Sequence, residues 1–177
     1  MKTIQVPIND VKELAQLKVG DKVLLTGTII TARDQAHKKL VETIKKGKKL
    51  PVNLKGQVIY YVGPSPARPG KVIGAAGPTT ASRMDGFAPA LYKAGVKITI
   101  GKGYRDQTVI KSCKANQSIY LVATGGAGAL LSKHIKSAKI VAYGELGTEA
   151  IRELEISNFP AVVAIDTKGH YIFEVKK

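Results

Sequence analysis

The chain predicts an α/β domain with a mixed central sheet flanked by helices. Strand-like runs alternate with helical spacing through its middle, while its beginning and end are richer in strand candidates. Such a layout mixes parallel with antiparallel pairing. At 177 residues, 44% of them hydrophobic and 23% charged, the sequence can fill one full core and does not have a disordered composition. One domain over residues 1–177 is expected, with no internal repeat and no low-complexity linker.

The elements follow in order. A short strand is expected around residues 4–7 and an amphipathic turn over 11–17. Gly20 and Asp21 turn the chain into residues 22–31 (KVLLTGTIIT), whose β-branched content favours a strand. Residues 34–46 place Ala36, Leu40, Val41 and Ile44 at helical spacing. Residues 57–62 (QVIYYV) and 71–75 read as strands separated by the Pro-rich stretch 63–70. A helix start is expected at residues 77–85, with Pro89 restarting or kinking the helix over 87–94. Then come a strand over 96–100, a helix over 106–115 and a strand over 118–124. Residues 125–129 lead into a short helix ending near residue 135, and strands over 139–143, 161–165 and 171–175 complete the chain, the last two joined by the turn 166–169.

Composition narrows the function classes. No apolar run approaches the ~20 residues of a membrane span, and Met1-Lys2-Thr3-Ile4-Gln5 lacks a signal-peptide core, so a cytoplasmic protein is expected. Cys113 is the single cysteine, which leaves no internal disulfide and no multi-cysteine metal site in this chain. The net charge of +15 suits a nucleic-acid-binding module or a lysine-rich solvated surface. With no tryptophan and no interleaving of basic and aromatic residues, the surface reading is the better one. Four of the five arginines, Arg33, Arg68, Arg83 and Arg105, sit instead at Gly-, Pro- or Thr-rich junctions.

Three such junctions carry candidate chemistry. In Thr31-Ala32-Arg33-Asp34-Gln35-Ala36-His37, Thr31 and Asp34 resemble a variant capping box, and Arg33 lies on a strand-to-helix turn where its planar fork can reach a carboxylate. Arg33 pairing with Asp34 or a neighbouring carboxylate, and His37 as a satisfied surface or core residue, are the plain alternatives. In Gly77-Pro78-Thr79-Thr80-Ala81-Ser82-Arg83, Pro78 suits the first helical position and Thr79 would align with Arg83 one turn on. Thr79 then either caps the helix or, beside a cation, accepts or relays a proton, while Gly77 permits close backbone approach. In Gly101-Lys102-Gly103, flanking glycines clear space around the Lys102 ammonium. Gly125-Gly126-Ala127-Gly128 completes neither a dinucleotide fingerprint nor a P-loop and reads as tight packing, and Cys113 reads as a buried small residue. Arg33, Thr79 and Lys102 each follow the carboxyl end of a predicted strand, where α/β sheets gather ligands if the strands share direction.

These segments also carry a resemblance. TARDQAHKKL (31–40), GPSPARP (63–69), GAAGPTTASRMD (74–85), GKG (101–103) and TGGAGALL (124–131) occur in an order that resembles the β subunit, or C-terminal β domain, of iron–sulfur hydro-lyases: class I fumarate hydratases and L-(+)-tartrate dehydratases. It runs over nearly the whole chain, and the first and third segments are specific. The resemblance implies a swivelling β/β/α-type domain, here in the separate-subunit form. It further implies half of an active site whose [4Fe–4S] cluster is held by cysteines of a partner α subunit, with no metal in this chain. It assigns the substrate carboxylates to Arg33, Arg83 and Lys102, and proton abstraction to Thr79 beside Arg83. Support is left to His37 and Gly77. The implied enzyme hydrates fumarate to (S)-malate, or dehydrates tartrate to oxaloacetate, as an α2β2 assembly; the isolated β chain is inactive and expected as a homodimer. Dehydration of a dicarboxylate passes through a carbanion carrying more negative charge than the substrate, which fixed cations stabilise preferentially. A nucleic-acid module and a non-catalytic anion-binding subunit stand as readings from other classes.

Overall fold

The computed structural model describes residues 1–123 and 127–173. The apolar, β-branched run Lys22–Thr31 forms β2, and it organises the sheet. On one side β2 pairs in parallel with β1 (Lys2–Val6) and, at its far end, with β3 (Val58–Tyr60). The parallel series continues through β4 (Ile98–Gly101) and β5 (Ile119–Val122). The 15-residue β7 (Ile151–Ile165) runs antiparallel to both β5 and β2, which closes the sheet on itself. β6 (Ile135–Ala142) flanks β7. The mixed sheet with helices against it is therefore present as the sequence predicts.

Successive strand residues face opposite sides of the sheet, and this alternation builds two cores. Val23, Leu25, Ile29, Tyr60, Ile98, Leu121 and Phe159 fill one. Ile30, Ile59, Tyr61 and Tyr120 fill the other, beneath α2 (Asp34–Lys45), α3 (Ala88–Lys93) and α4 (Gln107–Asn116). The helical spacing in α2 buries Ala36, Leu40 and Val41, with His37 on the same face. α4 starts on an Asp106 side chain that accepts from Val109 N at 3.0 Å and stops at Gln117, whose φ is +51°. Gly27 has φ +125°, and a β-carbon there would come within 1.9 Å of Val6 O, so glycine alone permits the β1–β2 approach at the bulge in β2.

Several expectations are corrected. Residues 71–75 are not a strand. They belong to a loop folded on itself, with Ser65 N donating to Ala75 O at 3.1 Å and Ala75 N to Ser65 Oγ at 2.8 Å. The 11–17 turn is a short helix, α1 (Lys12–Ala15), that buries Leu14. α5 (Gly128–Leu131) and a 3-10 turn at Ser132–His134 form the short helix before residue 135, after which β6 starts earlier than predicted. The predicted strand at 161–165 is only the end of β7. Tyr171 makes a single antiparallel bridge to Ile165 and a turn follows; residues 174–175 of that predicted strand lie outside the described residues, as do Thr124, Gly125 and Gly126.

Candidate functional site

Because β2, β3 and β4 are parallel, their carboxyl ends lie on one edge, and the chain leaves that edge at Arg33, Gly63 and Lys102. The condition attached to the strand-end argument is met. Between the continuations of β3 and β4 runs the segment Pro78, Thr79 and Thr80. Thr79 N donates to Tyr61 O at 2.8 Å, Lys102 N donates to Thr79 O at 3.1 Å, and Ala81 N donates to Lys102 O at 2.9 Å. Pro78 bridges Val62 and Thr80 bridges Lys102.

Thr79 is therefore extended and is neither a helix cap nor one turn below Arg83. The expected helix start at 77–85 is instead this extended stretch followed by a 3-10 turn, Ala81–Met84. Long-range pairing to Tyr61 and Lys102 overrides the local Gly-Pro-Thr signal. The half-buried Thr79 hydroxyl donates to Tyr61 O at 3.1 Å, which fixes Oγ1 and leaves its lone pairs free to accept. The glycines of the GKG segment act differently from the expectation. A β-carbon on Gly101 would sit 2.9 Å from the Tyr61 ring and 3.0 Å from Ala81 Cβ, so its absence admits the 79–81 segment. Gly103 turns the chain at φ +82°. The Lys102 side chain is exposed, with no ion-pair partner among the described residues.

Arg33 and Arg83 meet through Asp34. Arg83 Nε and Nη2 donate to the two Asp34 oxygens at 3.1 and 2.7 Å, and Arg33 Nε lies 3.9 Å from the same carboxylate. Partial burial opposes ionisation of Asp34, but hydrogen bonds from Arg83 and from its own backbone N–H, with the charges of Arg83 and Arg33, hold its carboxyl below the usual range. The Arg33 guanidinium occupies space that a side chain on Gly63 would take: a β-carbon there would lie 2.1 Å from Nη1. The capping box expected at Thr31 does not form. Its hydroxyl donates to Ala150 O and accepts from Arg152 N at 3.0 Å, tying β2 to the start of β7.

His37 supports this edge from below. It is fully buried, its Nδ1 lies 2.8 Å from Arg33 O, and its ring packs edge-on against Tyr61. Burial drives its pKa down to about 4 against that hydrogen bond, so it is a neutral residue with Nδ1 as donor. Gly77 lies against Gly128, 3.5 Å from a β-carbon to Gly128 Cα, a close approach of the loop to the start of α5 rather than the strand–helix packing expected of the 125–128 glycines.

The remaining arginines separate. Arg68 lies on the exposed 63–75 loop, beside a cavity of about 590 Å³ that Lys71, Lys133 and Lys136 also line and that lies apart from Thr79. Arg105 is buried, paired with Asp85 at 2.6 Å and stacked over Tyr61 and Tyr120, so its junction is structural. Cys113 is buried as expected, and burial pushes its thiol pKa up to about 11. Sequence reasoning missed Gly63 and the Asp34–Arg83 pairing. The first had a signal, a glycine just past a strand end; the second joins residues 49 apart and had none.

Arg33 and Lys102, just past the ends of parallel strands, and Arg83, on the 3-10 turn that follows Thr79, thus share one edge of an α/β domain with a backbone-fixed hydroxyl. The chain belongs to the Fumarase C-terminus family, whose model matches residues 1–176. It is 43% identical over 92% of its length to the anaerobic class I fumarate hydratase of Escherichia coli K12, and 41% identical over 94% to fumarate hydratase 2 of Leishmania major. A Methanocaldococcus jannaschii chain assigned by name as an L(+)-tartrate dehydratase subunit beta is 39% identical over 92% of this chain and 87% of its own. The chain spans about 30% of the length of the two fumarate hydratases.

Proposed function

We propose that this chain is the β part of a [4Fe–4S]-dependent hydro-lyase that interconverts (S)-malate and fumarate, and that it is inactive without a cluster-bearing α part. The observation that carries the reading is the placement of Thr79, pinned between Tyr61 and Lys102 on the edge that also carries Arg33 and Arg83. Arg33, Arg83 and Lys102 bind the substrate carboxylates. The neighbouring cations make the Thr79 hydroxyl easier to ionise, and the ionised Oγ1 takes the proton from the carbon next to one carboxylate. The carbanion left behind spreads its charge into that carboxylate, where guanidinium and ammonium groups stabilise it more than they stabilise the substrate. Loss of hydroxide from the adjacent carbon then gives fumarate, and the hydroxide recovers the proton from Thr79 to leave as water and restore the base. His37 and Gly77 shape the edge without touching the substrate.

The cluster is assigned to the partner. Cys113 is buried with a raised thiol pKa, and no group of three or more potential metal-ligating side chains occurs among the described residues. An α2β2 assembly in the cytoplasm follows from the same reading, and no helix among the described residues is long and apolar enough to cross a membrane. Tartrate is the second candidate substrate, because the M. jannaschii relative matches this chain across 87% of its own length. Anaerobic reconstitution with the cluster-bearing partner tests the proposal, with rates on (S)-malate and L-(+)-tartrate measured side by side. Arg83→Ala should lower kcat/KM by about a hundredfold or more. Full activity in that variant would remove Arg83 from the site.

A further inference from the structure

We infer that Asp34 is a positioning residue, which holds Arg83 by one edge of its guanidinium and keeps the other edge turned to a substrate carboxylate. The inference rests on the reading of Arg33 and Arg83 as carboxylate binders. A guanidinium offers two edges for two-point binding of a carboxylate, one through Nε and Nη2 and one through Nη1 and Nη2. Asp34 takes the first, with Nε and Nη2 donating at 3.1 and 2.7 Å. The second stays available.

The same carboxylate faces the other arginine. Arg33 Nε lies 3.9 Å away and is buried without a hydrogen-bond acceptor. Two cations that converge on a dianionic substrate repel each other when the site is empty, and one carboxylate between them offsets that repulsion. The Arg83 and Asp34 side chains are 45% and 33% exposed, so this ion pair adds little to folding. Its geometry is what it contributes. Asp34 is the first residue of α2, anchored by the buried face of that helix, whereas Arg83 projects from a single 3-10 turn. The rigid element thus orients the side chain of the less rigid one.

The test combines kinetics of the reconstituted enzyme with arginine Nε–H NMR spectra of the full chain alone. Asp34→Asn and Asp34→Ala should lower kcat/KM for (S)-malate by about tenfold or more with the melting temperature unchanged, and Asp34→Glu should recover part of the loss. In the spectra, Asp34→Asn should move the Arg83 Nε–H signal to the position of a solvated arginine. An unmoved Arg83 signal overturns the inference. A lower KM in Asp34→Asn also overturns it, since that would make Asp34 only a negative charge opposing the substrate. If Arg83→Ala abolishes activity while Asp34→Asn and Asp34→Ala keep it, the inference fails and the functional reading stands. If Arg83→Ala keeps activity, both fall.

Discussion

A methyl group added at Gly63 would meet Arg33 first: a β-carbon there lies 2.1 Å from Nη1, 3.2 Å from Cζ and 3.3 Å from Cδ of that side chain. The obstacle is a flexible side chain that can swing away, and the backbone of Gly63 is not in the left-handed region. Gly63→Ala should therefore leave the urea midpoint nearly unchanged while lowering kcat/KM of the reconstituted enzyme by about tenfold, through displacement of the Arg33 guanidinium. Unchanged kinetics would take Arg33 out of the substrate site. At this scale the positions of Arg33 and Lys102 were legible in the sequence, because each follows a β-branched strand whose end is easily read. The conformation of Thr79 was not. Gly-Pro-Thr-Thr is a sound helix-start signal locally, and only the distant backbone groups of Tyr61 and Lys102 draw it into an extended form.

Two segments carry the site residues beyond β3 and β4, and a buried ion pair joins them. Arg105, three residues past Lys102, donates through Nε to Asp85 Oδ1 at 2.6 Å, and Asp106 N donates to Asp85 Oδ2 at 2.9 Å. Asp85 closes the 3-10 turn that holds Arg83. The guanidinium carbon lies 4.8 Å from the Tyr120 ring centroid and 5.4 Å from that of Tyr61, and Tyr120 OH donates to Gly103 O at 3.1 Å. Burial opposes the charge on Arg105, but the surrounding tyrosines and Asp85 favour it and raise its pKa. Arg105→Met should cost about 3–5 kcal/mol in urea unfolding, because it leaves the Asp85 carboxylate buried and unpaired. Adding Asp85→Asn to that variant should recover a measurable part of the loss; no recovery would mean that the tyrosine stacking, not the ion pair, joins the segments. The sequence groups Arg105 only with the other junction arginines, because a Gly-Tyr junction says nothing about a carboxylate on another segment. It likewise missed most of β7, whose Glu153 and Glu155 interrupt the apolar pattern while Ile151, Leu154 and Ile156 are buried.

For the molecule as a whole, the core between sheet and helices contains a histidine, a side chain whose ordinary pKa lies near neutral pH. His37 is fully buried there, and burial lowers its pKa from the ordinary 6.5 to about 4. The unfolded chain binds a proton at this residue below about pH 6.5, whereas the folded chain binds it only near pH 4. Between those limits the unfolded state holds more protons, so stability rises with pH and falls as the solution is acidified. The stabilising contribution is complete above pH 6.5 and lost by about pH 4, a change of about 3 kcal/mol. The depressed carboxyls of Asp21, Asp34, Asp106 and Glu145 add only a small further loss at lower pH, because pairs this exposed contribute little to stability. The two phases separate because their pH windows barely overlap. Urea unfolding at steps from pH 7 to pH 4.5 should show a steady decline in the native chain. In His37→Gln, which stays neutral and can still donate to Arg33 O, the profile should be much flatter over the same range. His134 and His170 remain in both proteins, so the difference between the two profiles reports His37 alone. Parallel profiles would mean that the ring reaches water, and the support it gives to the Arg33 backbone would have to come from another residue.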